Sequence, residues 1–390
     1  MRITFPAGIF GNRRQLFSLS QRMSVEFKIF LACAALQCLY YAGVFARLNF
    51  VRPFSGLPEF LPPASVIICA KNEAENLRQY LKIVLIQQYK QYEVIVVNDQ
   101  SDDDTIDVLV EYYRRNKNLK IVNITKDEKK PYEGKKYALM KGIEAASFDT
   151  IVVTDADCRP ATTHWLAKMV GAYLSETKVV LAHSPFEKQD GFLNKLIRYE
   201  NFITAVQYFG FARLGLPYMG VGRNLSYKKD VLKSFKGFEK NKDLLTGDDD
   251  LLINAVATGR NTELCIDKDA FTYSKAAPAF NDWINQKRRH LRSGFKYKLH
   301  HVVLLFLFAA SSFLFYALFI WLLIKAVTPV FVLAVFAAVV LIKFLSTIRV
   351  YRKLGAADLQ WMAPLLDFVY AFYLLMIFFL LLLKPKNSWK

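Results

Sequence analysis

Four long apolar runs restrict what this chain can become. Each approaches the length needed to cross a bilayer, and together they bracket a stretch of ordinary mixed sequence. They cover residues 29–46, 302–324, 329–345 and 364–383, and Lys343 and Asp367 are the only charges within them. A spanning helix needs about 20 apolar residues for roughly 30 Å of hydrocarbon, so four transmembrane helices are expected. The first and third runs are only about 17 residues long, which leaves a tilted, interfacial or re-entrant course open for either. Reading the first run as a cleaved signal is disfavoured, because Arg47, Leu48 and Asn49 stand where a small-residue cleavage site belongs. Composition agrees with two environments in one chain: 53% hydrophobic residues are too many for a soluble domain, and 22% charged residues too many for a purely embedded protein.

The net charge of +18 could signal nucleic acid, but its distribution argues against that partner. Lys287, Arg288, Arg289, Arg292, Lys296 and Lys298 precede the second run, and Arg349, Arg352 and Lys353 separate the third from the fourth. Such loops face the cytosol in an inner or plasma membrane, which puts the intervening domain, residues 63–279, on the cytosolic side. Arg13, Arg14 and Arg22, in the N-terminal tail 1–28, would then lie outside, as would Lys384, Lys386 and Lys390. A translation start at Met23 would remove the first conflict. Residues 280–300, with Trp283, Ile284, Leu291 and Phe295, are amphipathic and expected to lie on the bilayer surface.

The five cysteines are scattered, without a Cys-x-x-Cys or Cys/His cluster, and read as buried thiols rather than disulfides or thiolate ligands. Between the first and second runs the chain alternates strand and helix signals. Strands are expected at 65–70, 93–97, 120–124 and 150–154, and helices at 73–88, 105–116 and 136–146. This is an α/β pattern with a mostly parallel sheet, whose ligands bind beyond the carboxyl ends of the strands.

Acidic residues sit at those ends. Asp99 closes the second strand and can accept hydrogen bonds from a base, whereas Asp102, Asp103 and Asp104 precede a helix and read as caps. Asp155 and Asp157 close the fourth, one residue apart, so both carboxylates can converge on Mg²⁺ or Mn²⁺. In the run Asp248-Asp249-Asp250, neighbouring carboxylates repel one another and favour taking up a proton; helix capping is the competing role, for Asp248 and Asp250 more than for Asp249. The aromatic stretch 192–211, with Tyr199, Phe202, Tyr208 and Phe209, reads as core in preference to an acceptor site. Gly220, Gly222 and Asn224 permit close backbone approach to a substrate or form an ordinary turn.

Taken in order, residues 65–73 (SVIICAKNE), 97–99 (VND), 134–139 (GKKYAL), 155–157 (DAD), 220–224 (GVGRN), the acidic run at Asp248 and 286–289 (QKRR) resemble a membrane-associated family 2 glycosyltransferase with the GT-A fold. The resemblance implies inverting transfer of a sugar from a nucleotide-sugar donor, usually UDP-linked. It also implies that Asp99 holds the base, that Asn72, Glu73 and Lys135 line the donor pocket, and that Asp155 and Asp157 hold the diphosphate and metal. Asp249 corresponds to the general base, and Gln286 and Arg289 to the Gln-x-x-Arg element, where His290 replaces the usual Trp. Three spans after the domain suit a lipid or lipid-linked acceptor. A processive polysaccharide synthase is the alternative, and a nucleotide-sugar-binding transporter or sensor without catalysis is the rival from another class. A phosphohydrolase would leave Gln286 and Arg289 without a role.

Overall fold

The computed structural model describes residues 24–52, 60–131, 134–235, 247 and 249–381. The chain enters through α1 (Val25–Cys38), capped by Ser24 Oγ accepting from Phe27 N at 3.3 Å, and continues through a π-helical turn, Leu39–Val44, and a 3-10 turn, Phe45–Phe50. It then alternates through β1 (Ala64–Ala70), α2 (Ala74–Leu85), β2 (Tyr92–Asp99), α3 (Thr105–Arg115), β3 (Leu119–Ile124), α4 (Lys136–Ala145) and β4 (Thr150–Asp155). After these come β5 (Arg159–Pro160), α5 (Trp165–Gly171), β6 (Val179–Ala182), α6 (Phe192–Arg213), β7 (Leu225–Lys228), α7 (Asp250–Val256), β8 (Thr262–Cys265) and β9 (Thr272–Tyr273). The chain ends in α8 (Phe280–Gly294), α9 (Leu299–Ile324), α10 (Pro329–Lys353) and α11 (Ala363–Leu381).

Seven strands form one sheet in the order β3-β2-β1-β4-β7-β6-β8, and β5 pairs with β9. Every pairing in the larger sheet is parallel except those of β7 with β4 and β6. The central strands read as continuous Val and Ile because both faces are covered. Val66, Ile68, Val94, Val96 and Val152 pack with α2, α3 and α5, while Ile67, Ile95, Val97, Ile151 and Val153 pack with α4 and α6. That second core does not stop at the domain: it continues through Tyr199 and Phe202 of α6 to Tyr41, Phe45, Phe308 and Tyr351 of the membrane helices.

Among the described residues, four helices are long and apolar enough to cross a membrane: 25–50, 299–324, 329–353 and 357–380. The first is 26 residues long and the third 25, so the two short runs belong to full-length spans. A charged residue interrupts a hydropathy count without interrupting the helical hydrogen bonds, and α10 runs on past Arg349 and Arg352. Lys353 Nζ donates to the carbonyls of Leu48, Asn49 and Val51 at 3.0, 2.6 and 2.6 Å, so the end of the first span and the end of α10 lie together. The amphipathic face of α8 is divided. Trp283 is fully buried and stacked on Tyr373 of α11 with centroids 4.3 Å apart, and Ile284 is buried beside it, while Leu291 and Phe295 remain exposed.

Within the bundle, Asp367 of α11 meets Lys343 of α10 at 2.7 Å. The same carboxylate accepts from Tyr41 at 3.2 Å, Tyr199 at 3.0 Å and Tyr316 at 2.6 Å. Asp367→Leu would leave the Lys343 ammonium buried without a counter-charge, a loss of about 3–5 kcal/mol by analogy with broken buried pairs. Thermal unfolding in detergent is expected to place this variant well below wild type, and Lys343→Met/Asp367→Leu between the two; identical melting of the single and double variants would contradict the ion-pair role.

Candidate functional site

The site grows from the end of β4. Thr154 Oγ1 donates to Arg223 O at 2.9 Å, and Cys158 N to Asp155 O at 3.1 Å, which closes a turn over 155–158. Ala156 is buried, whereas the flanking Asp155 and Asp157 are half-buried. The ligand atoms of Asp155, Asp157 and Cys158 lie within 4.8 Å of one another. Burial, then the charges of Asp157 and Asp155, push the Cys158 thiol well up, so it stays protonated and donates weakly to Asp157 at 3.5 Å. The two carboxylates are thus the metal-competent pair, and hard anionic oxygens suit Mg²⁺ or Mn²⁺. Lys135, at the start of α4, pairs with Asp155.

The second wall comes from the segment before β7 and from α7. Gly222 N donates to Asp249 Oδ2 at 2.5 Å, and a Cβ at this glycine would stand 3.1 Å from the same oxygen. The glycine therefore serves a close approach to a carboxylate. Asp249 is the N-cap residue of α7, its Oδ1 accepting from Asp250 N at 2.8 Å. Asp250 serves the same turn, its Oδ1 accepting from Leu251 N at 2.8 Å. Its Oδ2 turns to α8 and its exit, accepting from Tyr297 Oη at 2.7 Å and from Ser293 Oγ. These contacts tie the acidic run to the helix that carries Gln286 and Arg289. Asp248 lies outside the described residues.

The third wall is α8. Lys287 pairs with Glu200 of α6 at 2.5 Å. His290 is exposed along the cavity, and desolvation there together with the cations Lys287, Arg289 and Arg223 pushes its imidazole down. It is neutral at ordinary pH. A cavity of about 340 Å³ collects Lys135, Asp155, Asp157, Asp249, Gln286 and Arg289, residues from four separate stretches of chain. Glu200, Asn201, Thr204, Arg223, Ser274 and Lys275 also line it, and none of these was singled out from the sequence as a site residue. For Glu200, Asn201 and Thr204 the one available signal was polar residues at positions i, i+1 and i+4, masked by the aromatic residues among them; no local pattern marks Arg223, Ser274 or Lys275.

Asn72, Glu73 and Asp99 are not among the residues lining this cavity. They occupy the adjacent part of the same rim, because β2, β1 and β4 are neighbours and Asp155 is level with Cys69. Two strand spacings, roughly 10 Å, separate the end of β2 from that of β4. Asp99 is fully buried and paired with Lys130. Asn72 adopts φ 56°, its Oδ1 accepts from Asp102 N at 2.8 Å, and Glu73 accepts from Asn76 Nδ2 at 2.5 Å. Asp103 caps two helices at once, accepting from Ala74 N at 3.1 Å and Thr105 N at 3.0 Å. Asp102 pairs with Lys126 and Asp104 with Arg78.

Asn224 does something other than approach a substrate. It is fully buried, its Nδ2 donates to His183 O and Ala270 O at 2.7 Å each, and its Oδ1 accepts from Trp165 Nε1 at 3.0 Å.

Residues 65–235 match the family model for glycosyl transferase family 2. A probable glycosyltransferase of Bacillus subtilis (strain 168) is 26% identical over 279 residues, 66% of this chain and 64% of that protein. A poly-beta-1,6-N-acetyl-D-glucosamine synthase of Staphylococcus epidermidis is 32% identical over 93 residues, 24% of this chain and 21% of the synthase. The chain thus spans between about a fifth and just under two thirds of these relatives' length. A mannosyltransferase from Pyrobaculum calidifontis, solved with GDP-Man and Mn²⁺, shares the fold, with 18% identity, a TM-score of 0.58, and coverage of 86% of this chain and 97% of that one.

Asn224→Ala strands one buried donor and two buried acceptors, which is expected to lower stability by at least about 2 kcal/mol. The measurement is apparent melting temperature beside nucleotide binding; lost binding at unchanged melting would make Asn224 a ligand contact instead.

Proposed function

We propose that the protein is a membrane-bound inverting glycosyltransferase, from the match of residues 65–235 to the glycosyl transferase family 2 model and the four membrane-length helices among the described residues. It moves a sugar from a nucleotide-sugar donor, UDP-linked by the family resemblance, to a lipid or lipid-linked acceptor. The observation that carries this reading is the convergence of Asp155, Asp157, Asp249, Gln286 and Arg289 on one cavity.

In this reading Asp99 holds the base, and Asn72 and Glu73 shape the rim beside it. Lys135, Asp155 and Asp157 receive the diphosphate. A bound Mg²⁺ or Mn²⁺ would neutralise charge on the departing nucleoside diphosphate, and the oxygens of Asp155 and Asp157 would hold it. Asp249 accepts the proton of the acceptor hydroxyl as that oxygen attacks the anomeric carbon, with Gly222 N–H fixing the carboxylate's direction. Arg289 supports the leaving charge and Gln286 hydrogen-bonds within the same space. His290 offers a neutral imidazole where a larger aromatic platform is usual. The domain faces the cytosol, on the strength of Arg349, Arg352 and Lys353 at the α10 end beside the chain's entry into the domain.

One observation favours the processive alternative: the 93-residue likeness to a polysaccharide synthase, together with the Gln286 to Arg289 element. Against a transporter or sensor stands the burial of Lys343 and Asp367 in mutual contact, away from the cavity. The deciding experiment incubates membranes bearing the full chain with labelled nucleotide sugars and Mg²⁺ or Mn²⁺, then separates lipid-extractable, polymeric and free sugar. Lipid-extractable label from one donor, abolished by chelation, is expected; polymer alone would select the synthase, and free sugar alone a hydrolase.

Two variants test the roles. Asp249→Asn is expected to abolish transfer while retaining donor binding, and turnover equal to wild type would remove Asp249 from the mechanism. Gly222→Ala should displace the base and reduce kcat by about 10- to 100-fold at similar melting temperature; an unchanged kcat would mean that the Asp249 position is not critical.

A further inference from the structure

From Leu196 to Phe211, α6 is buried everywhere except at Asn201 and Thr204, and both of these open on the catalytic cavity. Glu200 stands between the two faces of the helix. It is buried, accepts from Thr204 Oγ1 at 3.2 Å and neutralises Lys287 at 2.5 Å. The preceding residue, Tyr199, is bonded to Asp367 of the last span at 3.0 Å, so this polar stripe lies where the cavity adjoins the membrane helices.

We propose that Glu200, Asn201 and Thr204, with Lys287, form an acceptor subsite for a neutral polyol, so that the attacking nucleophile is a hydroxyl of a sugar- or glycerol-type head group and not a phosphate oxygen. The inference rests on reading the cavity as a glycosyltransferase site. Carboxylate and amide oxygens accept hydrogen bonds from hydroxyls, and the Thr204 oxygen, its own proton given to Glu200, accepts one as well. A phosphate monoester is already ionised at neutral pH and needs no base, and the Lys287 cation is matched by Glu200, so the stripe itself presents no net positive charge to hold one. A hydroxyl, in contrast, must lose a proton. The new bond joins the acceptor oxygen to the anomeric carbon, the bond from that carbon to the diphosphate oxygen breaks, and the hydroxyl proton passes to Asp249.

The test uses the full chain in phospholipid vesicles with the donor that the screen selects. Three acceptors are compared: a monoglycosyl diacylglycerol, a free oligosaccharide and a polyprenyl monophosphate. Transfer to either hydroxyl acceptor in preference to the phosphate is expected, and the better of the two identifies a lipid-borne or a glycan source. Glu200→Gln and Thr204→Val should each raise the acceptor KM by about tenfold, the loss of one hydrogen bond, with donor KM unchanged. Preference for the polyprenyl phosphate, or unchanged acceptor KM in both variants of an active enzyme, overturns the subsite. A wild type that neither transfers nor hydrolyses any donor overturns the glycosyltransferase reading instead. Nucleoside diphosphate binding reports folding of each variant, and should Glu200→Gln fail that control, Asn201→Ala with the same KM readout takes its place.

Discussion

One carboxylate deep in the membrane bundle holds the arrangement together. Asp367 gathers a lysine from α10 and tyrosine hydroxyls from the first span, α6 and α9, so five helical elements meet at a single side chain of α11. Hydrocarbon offers a charge no other partner, which makes this contact selective as well as adhesive. The π-helical turn of the first span contributes by presenting Tyr41 to it. Tyr199 bears most on the proposed function, because it belongs to the α/β domain.

On either side of Tyr199 the helix makes two more ionic contacts. Arg198 forms a bidentate pair with Asp358, in the 3-10 turn that leads into α11, at 2.8 and 2.7 Å, and Glu200 meets Lys287 of α8. Three consecutive residues of α6 therefore touch three different elements of the membrane-proximal half. A parallel two-pronged Arg–carboxylate contact fixes orientation as well as distance. The stacking of Trp283 on Tyr373 fixes α8 against α11 in the same region. Gln286 and Arg289 thus sit on a helix braced from the membrane side, while Asp155 and Asp157 sit on a strand braced by the sheet.

Much of this was legible in the chain, for physical reasons that also explain what was not. The strands β1, β2 and β4 stood out because a sheet covered on both faces favours continuous apolar, Val- and Ile-rich runs, and Asp155 stood out because a charge cannot continue such a run. The full length of the third span was hidden, since hydropathy registers Arg349 as an end and the helical backbone does not. Asn224 lay in a glycine-flanked motif that suggested substrate contact, yet its three partners are 41 to 59 residues away in sequence, and no local pattern encodes them. Asp249 and Asp250 share the start of α7, and the further contacts of Asp250 with Ser293 and Tyr297 were hidden because they arrive from another helix and its exit. The Glu200 stripe was hidden by its company, being surrounded in sequence by aromatic residues whose burial dominated the reading.

The continuity of the core across the domain and the membrane bundle bears on how such a site reaches a lipid. A domain on a flexible tether would find its acceptor by diffusion and lose orientation at each encounter. Here Ile67 and Ile151 of the sheet, Phe202 of α6, and Phe45, Phe308 and Tyr351 of the spans belong to one packed cluster, and packed interiors do not slide continuously. Relative motion between the sheet rim and the bundle would require separating Phe202 from Tyr351, stacked with centroids 3.9 Å apart. The cavity therefore keeps a fixed height and tilt relative to the helices beside it. An acceptor that varies in its lipid tail but not in its head group would meet the same wall every time, and this favours selection by the polar stripe of α6 over selection by the chain.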